Sequence, residues 1–322
     1  MSRPTTSSTA PAKPATRRNV LPGRLSPGMA CDTAFRIIAR RHLDAVLAQH
    51  DGTCCGDPEA LHQIRIALTH LRTAIRFFSP MVDDGLRPNV WAELKWLNSQ
   101  LGMVRDLDVA IDRVIAESGG ELDVVAELQH WDEKRAESHR LLTRALQSAR
   151  FRRLSEQTSA WIESGPWSTR RSKEAVRLRR CPLADHATAR LTEWEETLLR
   201  KARKLRKLDV EKRHKLRLLN KRMTYSVESL ADLFADESLT KQKSILKQLR
   251  KAQKSLGQLN DDVRGQTLAA SLNEAVPEAG IRFLDRKRER KLLRAAAKAY
   301  RKLDKAKPFR SSDLAPNSEP KD

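Results

Sequence analysis

A row of basic side chains at helical spacing is the feature that best suits this chain to bind an anion. The stretch from His62 to Phe78 reads HQIRIALTHLRTAIRFF and contains no acid. Arg65, Arg72 and Arg76 fall at helical spacing in it and share one face with His62. Guanidinium groups give charge-assisted hydrogen bonds to phosphate oxygens. The row therefore indicates a phosphate-bearing partner.

The length of this row favours a linear ligand. At roughly 1.5 Å per residue, the helix from His62 to Arg76 spans about 21 Å. A solvated basic face would normally mix acids among its bases, so the absence of acids favours binding for Arg65 and Arg72. For Arg76 the two interpretations stay open. His62 could orient a phosphate or could be structural.

The same motif occurs a second time. HKLRLLNKRMTYSVESL from His214 matches the first stretch at an offset of 152 residues. Leu101 and Gly102 are matched by Leu256 and Gly257 at an offset of 155. Two ordered motifs at nearly one offset predict a duplicated helical unit.

Further bases extend the candidate site in both halves. Lys247, Arg250 and Lys254 repeat at helical spacing, and Arg250 is the counterpart of Lys95 at the 155 offset. A terminal basic helix adds more, of which we expect about half to face water. The complete set that we expect to bind the anion is His62, Arg65, Arg72, Arg76, Lys95, Arg105, His214, Arg217, Lys221, Arg222, Lys247, Arg250, Lys254, Arg286, Arg290 and Arg294.

Net charge points to a polyanionic partner as well. The chain has a formal net charge of +21 and a pI of about 10.3. Residues 1–150 hold 20 Lys and Arg against 18 Asp and Glu, and residues 151–322 hold 42 against 23. Aromatic residues are only 5% of the chain, which disfavours a protein that stacks successive bases of single-stranded nucleic acid.

The sequence contains no recognisable catalytic or metal-binding motif. It has no Gly-rich phosphate loop, no Cys beside a His and no HExxH pair. We therefore expect no enzyme activity, no cofactor and no metal. We expect the acids Asp106, Asp108, Asp261 and Asp262 to cap helices or pair with bases. Cys31, Cys54, Cys55 and Cys181 lack zinc-ligand spacing, which predicts reduced thiols.

Hydrophobic periodicity predicts an all-helical chain. Asp57 is expected to cap a helix that Pro58 begins and Pro80 ends, and Asp209 to cap another. A helix carrying Trp91 as a core residue follows the first, with Gly102 marking a kink or a close helix contact. The other expected helices span about 30–50, 101–114, 122–149, 151–162, 184–207, 240–256, 260–275 and 278–303. Residues 1–26 and 305–322 are expected to be loose tails.

These motifs resemble those of the CHAD family, the conserved histidine alpha-helical domain. The resemblance rests on His62-x-x-Arg65 with Leu71-Arg72, on Leu101-Gly102-x-x-Arg105-Asp106, and on their echoes from His214 and Leu256. It implies one domain over residues 27–304, made of two pseudo-symmetric helical bundles (about 30–164 and 183–304) joined by a basic linker (about 165–182). It also implies a basic groove or pore that binds inorganic polyphosphate, without turnover, at polyphosphate granules in the bacterial cytoplasm.

Two other functions stay open. A nucleic-acid-binding protein would also suit the basic later part of the chain, and a polyphosphate-degrading enzyme is less favoured. No run of about 18 apolar residues occurs, so a membrane partner is not expected.

Overall fold

The computed structural model describes residues 23–118, 125–234, 239–272 and 285–306, and the regular structure of these ranges is helical. This confirms the all-α prediction. The α-helices of the described residues are α1 Cys31–Ala48, α2 His50–Cys54, α3 Pro58–Phe77, α4 Ser79–Val82, α5 Arg87–Ser118, α6 Val125–Gln147, α7 Ala149–Ser164, α8 Lys173–Arg180, α9 Leu183–Ala202, α10 Val210–Ser229, α11 Leu239–Leu272 and α12 Arg286–Ala306. Short 3₁₀ helices occur at Pro166–Ser168, Leu205–Lys207 and Ala231–Leu233.

Local signals place the starts of the two motif helices as predicted. The Asp57 carboxylate accepts a hydrogen bond from the Glu59 backbone N–H at 2.8 Å, and Pro58 begins α3. The Asp209 carboxylate accepts one from the Lys212 N–H at 2.8 Å at the start of α10. Each cap satisfies an N–H group that the helix itself leaves without a partner.

The predicted end of the first motif helix is confirmed, and a short helix follows it. The helix from Pro58 ends at Phe77, before Pro80, and Pro80 lies in the first turn of the short helix α4. The first predicted helix is followed directly by α2, which runs to Cys54. Proline at the start of a helix costs no hydrogen bond, because its N–H would have no intrahelical partner there.

The two long helices continue through their internal glycines. α5 passes through Gly102 without ending, and α11 passes through Gly257, where the sequence pattern predicted two helices. A glycine inside a helix costs about 1 kcal/mol, an amount that packing against neighbouring helices can offset. The aspartates that follow each glycine therefore lie in mid-helix and cap nothing.

The segment expected to be a basic linker, residues 165–182, has regular structure and is anchored to the core by a buried tryptophan. It contains the 3₁₀ helix at 166–168 and α8. Trp167 is fully buried, and its indole N–H donates to the Trp161 carbonyl oxygen at 2.8 Å. Its ring meets that of Phe35 edge to face at 5.2 Å.

The packing of α3 brings four helices together. Its apolar stripe is buried as predicted, with Leu61, Ile64, Leu68, Leu71 and Ile75 each at most 1% exposed. α3 packs against α1, α5 and α10, while α10 and α5 both pack against α11. The polar edges of α3, α5, α10 and α11 consequently meet beside the core.

Some predictions concern residues outside those described. These are the tails before residue 23 and after residue 306, the break at Gly119 and Gly120, and the expected helix before residue 285. Within the expected first tail, Leu25 is buried and its N–H donates to Asp232 Oδ2 at 3.2 Å. Among the helices that are described, none is long and apolar enough to cross a membrane.

Candidate anion-binding site

Five bases converge where α3, α5, α10 and α11 meet, and we call them the central cationic cluster. They are Arg65, Arg105, Arg217, Lys221 and Arg264. Arg105, Arg217 and Arg264 lie close enough to Arg65 for their positive charges to repel its own. Arg65, Arg217 and Arg264 repel the charge of Lys221 in the same way. The cluster thus joins side chains from both halves of the sequence.

Arg65 is fixed in this cluster by the backbone of α5. Its guanidinium donates to the Leu101 carbonyl oxygen at 2.7 Å. It also lies 3.7 Å from the position that a Cβ on Gly102 would occupy. This is ordinary van der Waals contact with a side chain, so Gly102 leaves room for the guanidinium without marking a close approach of two helix backbones. Burial lowers the pKa of Arg65.

Arg217 and Lys221 lie one turn apart on α10 and are both largely removed from water. Burial, followed by the charges of Arg217 and Arg65, lowers the pKa of Lys221 to about 8. Burial also lowers the pKa of Arg217, whose buried Nε finds no hydrogen-bond acceptor among the described residues. The cluster holds positive charge that the folded chain only partly compensates.

Two acids accompany the five bases. Asp106 forms an ion pair with Arg264, which links α5 to α11. Asp261 acts on Arg217 and Lys221 and favours their charged forms. Pairing with a base is thus the role the structure gives Asp106. The bases still exceed the acids, so an anion entering the cluster would meet net positive charge.

A second group of arginines lies further along α3, against tryptophan rings, and we call it the arginine–tryptophan cluster. The guanidinium carbons of Arg72 and Arg76 each lie 5.0 Å from the centroid of Trp91. Arg222 lies 5.6 Å from the centroid of Trp194. Burial, followed by the charges of Arg76 and Arg190, lowers the pKa of Arg222 to about 10. Cation–π contacts of this kind hold a guanidinium without neutralising it.

The two motif histidines differ in their surroundings. His62 is exposed at the first turns of α3. His214 Nδ1 lies 2.8 Å from Asn260 Oδ1 and borders a cavity of about 290 Å³ that also meets Arg217 and Arg264. His214 can therefore orient a ligand beside the central cluster, whereas His62 lies open to solvent.

The predicted bases on α11 lie on its outer surface. Lys247, Arg250 and Lys254 are exposed and line a groove of about 410 Å³ with Lys243 and Lys251. Arg250 also donates two hydrogen bonds to a single carboxylate oxygen of Glu228, at 2.7 and 3.0 Å. This groove is a separate, shallower basic surface.

The remaining bases that were predicted to bind the anion are exposed. Lys95 is exposed on α5, and Arg286, Arg290 and Arg294 are exposed on α12. The α12 side chains that reach neighbouring helices are different ones. Arg288 pairs with Asp262 on α11 at 3.2 Å, and Glu289 pairs with Arg213 on α10.

Four residues at these clusters are not among the predicted site residues: Arg264, Trp91, Arg190 and Trp194. Arg264 pairs with Asp106, which is 158 residues away, and its counterpart at the 155 offset is the apolar Val109. The spacing of Trp91 matches that of the leucines after it, which predicts a core residue. Arg190 donates to the Phe77 carbonyl oxygen at 3.3 Å and lies 5.2 Å from the centroid of Trp194. The spacing of Arg190 and Trp194, four residues apart on α9, was the available signal.

The arrangement offers hydrogen-bond donors and positive charge. Within the side chains that the structure describes, no group of three or more His, Cys, Asp or Glu residues is arranged to hold a metal ion. The chemistry that the clusters support directly is the recognition of an anion.

Comparison with known proteins identifies a family and its fold. The sequence model of the CHAD domain family matches residues 37–270 of this chain. The crystal structure of the CHAD domain from the plant Ricinus communis superposes with a TM-score of 0.67 at 23% identity, over 90% of this chain and 92% of that one. The structure of PptA from Streptomyces chartreusis gives a TM-score of 0.55 at 16% identity, over 86% and 96%. No curated protein matches the chain.

Proposed function

Because the chain belongs to the CHAD domain family, which is associated in general with polyphosphate binding, we propose that it binds inorganic polyphosphate at the central cationic cluster. The observation that carries this proposal is the convergence of Arg65, Arg217 and Lys221 from α3 and α10 in a partly buried position. Placing like charges together away from water destabilises a folded chain. A polyanion that enters the cluster removes this repulsion and supplies acceptors for donors such as Arg217 Nε.

The arginine–tryptophan cluster supports a polymer rather than a single phosphate as the ligand. Arg65 and Arg76 are 11 residues apart on α3, or roughly 16 Å at about 1.5 Å per residue. One phosphate cannot contact both. A linear chain of phosphates can meet Arg65 at one cluster and Arg72 and Arg76 at the other, gaining a charge-assisted hydrogen bond at each.

We propose that the two halves of the chain are related by duplication. Two buried acids on the long helices support this. Asp108 is 2% exposed and pairs with Arg135 at 2.7 Å, and Asp262 is 1% exposed and pairs with Arg288 at 3.2 Å. The aspartates are 154 residues apart and the arginines 153, close to the offset of the sequence motifs.

We further propose that binding occurs without turnover and that the protein associates with polyphosphate granules in the cytoplasm. Several contacts to one polymer give strong attachment without chemistry. Imaging of the tagged protein in cells with and without polyphosphate tests the location. The proposal predicts discrete foci that disappear when polyphosphate is absent, and foci that persist would contradict it.

A competition experiment tests the proposed ligand. Protein held on labelled long-chain polyphosphate is challenged with unlabelled polyphosphate or duplex DNA at one salt concentration, because counterion release makes every such affinity dependent on salt. We expect polyphosphate to displace the label at much lower phosphate concentration than DNA. A clear preference for DNA would establish the nucleic-acid alternative. Metal-dependent release of phosphate in the presence of Mg²⁺ would contradict binding without turnover.

A further inference from the structure

Two cysteines from distant parts of the sequence lie against each other. The Cys31 N–H donates to the Cys181 carbonyl oxygen at 3.0 Å, and the Leu183 N–H donates to the Met29 carbonyl oxygen at 2.8 Å. These bonds flank an antiparallel bridge between Ala30 and Pro182. In this register Cys31 and Cys181 are directly opposite each other.

The two side chains are also near each other, because Cys181 is among the groups that raise the pKa of the Cys31 thiol. Directly paired residues of an antiparallel ladder lie about 4.5 to 5.5 Å apart at Cα, within the roughly 4.4–6.8 Å that disulfides span. Both cysteines are free in the structure. The backbone pairing thus holds two reduced thiols at a separation suited to a disulfide.

The two thiols differ in their access to solvent. Cys31 is fully buried, and burial, together with Cys181, Asp32 and Asp185, raises the pKa of its thiol. Cys181 is partly exposed, follows the last turn of α8 as its C-cap residue, and donates its thiol hydrogen to the Pro182 carbonyl oxygen at 3.5 Å. Cys181 is therefore the thiol of the pair that a small oxidant in solution reaches first.

We propose that Cys181 and Cys31 form a peroxide-sensitive pair in which Cys181 reacts first and Cys31 resolves the product as a disulfide. The Cys181 thiolate attacks one oxygen of hydrogen peroxide, the O–O bond breaks, and the products are a sulfenic acid on Cys181 and hydroxide. The Cys31 sulfur then attacks the Cys181 sulfur, and the sulfenic oxygen leaves as water with the Cys31 proton. Two thiols are oxidised, and one peroxide is reduced to two waters.

This disulfide would connect the start of α1 to the residue between α8 and α9. It closes a loop of about 150 residues, and disulfides that close long loops restrict the unfolded chain most. Neither cysteine belongs to the central cationic cluster. Oxidation should therefore raise the melting temperature by roughly 5–10 °C and leave polyphosphate affinity unchanged.

The test uses the full-length chain carrying Cys54→Ser and Cys55→Ser, which removes the other two cysteines. The reduced protein is treated with one equivalent of hydrogen peroxide, and free thiols, peptide masses and melting temperature are measured. We expect both thiols to be lost, a crosslinked peptide containing Cys31 and Cys181, the higher melting temperature, and full reversal by a thiol reductant. Absence of the crosslinked peptide would overturn the proposal.

Two variants separate the roles of the thiols. With Cys31→Ala added, Cys181 should stop at the sulfenic acid and be trapped by dimedone. With Cys181→Ser added instead, Cys31 should stay reduced, because it is buried. Rapid oxidation of Cys31 in the second variant would overturn the assigned order. If Cys31→Ala fails to fold, the second variant and the crosslinked peptide still decide the question.

Discussion

The guanidinium of Arg65 is hydrogen-bonded to the backbone of Leu101, at 2.7 Å, one residue before a glycine in the middle of α5. This contact fixes the position of Arg65 in the central cationic cluster. It also limits the size of the side chain that can follow Leu101. An added Cβ at Gly102 would lie at ordinary contact distance from the arginine, whereas a longer side chain would occupy the space of the guanidinium.

The first prediction concerns this glycine. Gly102→Leu should displace Arg65 and weaken polyphosphate binding by roughly tenfold, the equivalent of one lost charge-assisted contact. Gly257→Leu is the matched control, because nothing lies within 4 Å of a Cβ there. Fluorescence anisotropy with labelled polyphosphate gives both affinities. Equal affinities for the two variants would show that Arg65 does not need its observed position.

The second prediction concerns pH above neutrality. Bound polyphosphate should raise the pKa of Lys221 from about 8, so the protonated form binds more tightly. Affinity should consequently fall as the pH rises from 7 to 9, by up to about tenfold from this group. At pH 8 the complex should take up protons on formation, which calorimetry in two buffers of different ionisation enthalpy measures.

Lys221→Met is the control for this pH dependence. The variant should bind more weakly at pH 7 and lose most of the pH dependence between 7 and 9. An unaltered pH profile in the variant would assign the titration to another group.

The third prediction concerns acid stability. His70 stacks between His42 and Tyr225, with ring centroids 4.6 and 4.2 Å apart. Burial lowers the pKa of His70 to about 4, and burial, His70 and Arg41 lower that of His42 to about 3. The unfolded chain therefore binds these protons more readily than the folded chain.

The stability of the fold should consequently be lost as the pH falls from about 6.5 towards 4. Each of the two histidines contributes about 1–2 kcal/mol to the loss by pH 5. His70 also lies 3.6 Å from Glu228, whose carboxylate is hydrogen-bonded to Arg250. Urea unfolding at pH 7 and pH 5 measures the change, and equal free energies of unfolding at the two values would contradict it.

The fourth prediction concerns a buried ion pair. Arg135→Met should destabilise the protein by about 3 kcal/mol, because it leaves the 2% exposed Asp108 with only the His139 imidazole, at 3.5 Å, as a partner among the described contacts. Arg140→Met on the same helix removes an exposed charge and should change the free energy of unfolding by less than about 0.5 kcal/mol. Chemical unfolding of both variants provides the comparison.

Local patterns in the sequence were sufficient for the helices. The caps at Asp57 and Asp209 and the apolar stripe of α3 depend on residues within a few positions of one another, and the structure confirms them. The continuity of α5 and α11 depends on tertiary packing, which outweighs the local preference of Gly102 and Gly257. The sequence pattern was therefore wrong about breaks within long helices.

The candidate site was predictable only in part. Arg65, Arg217 and Lys221 belong to the repeated motif, and the structure brings them together. Arg264 joins them through a partner on another helix, and no spacing rule identifies such a contact. Trp91 could not be predicted as a site residue for a different reason. Its spacing predicts a core residue, and the same side chain also lies against a guanidinium.

The central claim is that charge at the cluster, rather than the overall charge of the protein, binds polyphosphate. Its most direct test compares two double variants of equal net charge. Arg65→Met with Lys221→Met removes two cluster cations, and Arg152→Met with Lys215→Met removes two exposed ones. At fixed pH and salt, we predict that the cluster variant loses roughly 100-fold or more in affinity for long-chain polyphosphate, with helical content retained, while the control loses less than about threefold. Equal losses in the two variants would contradict the claim.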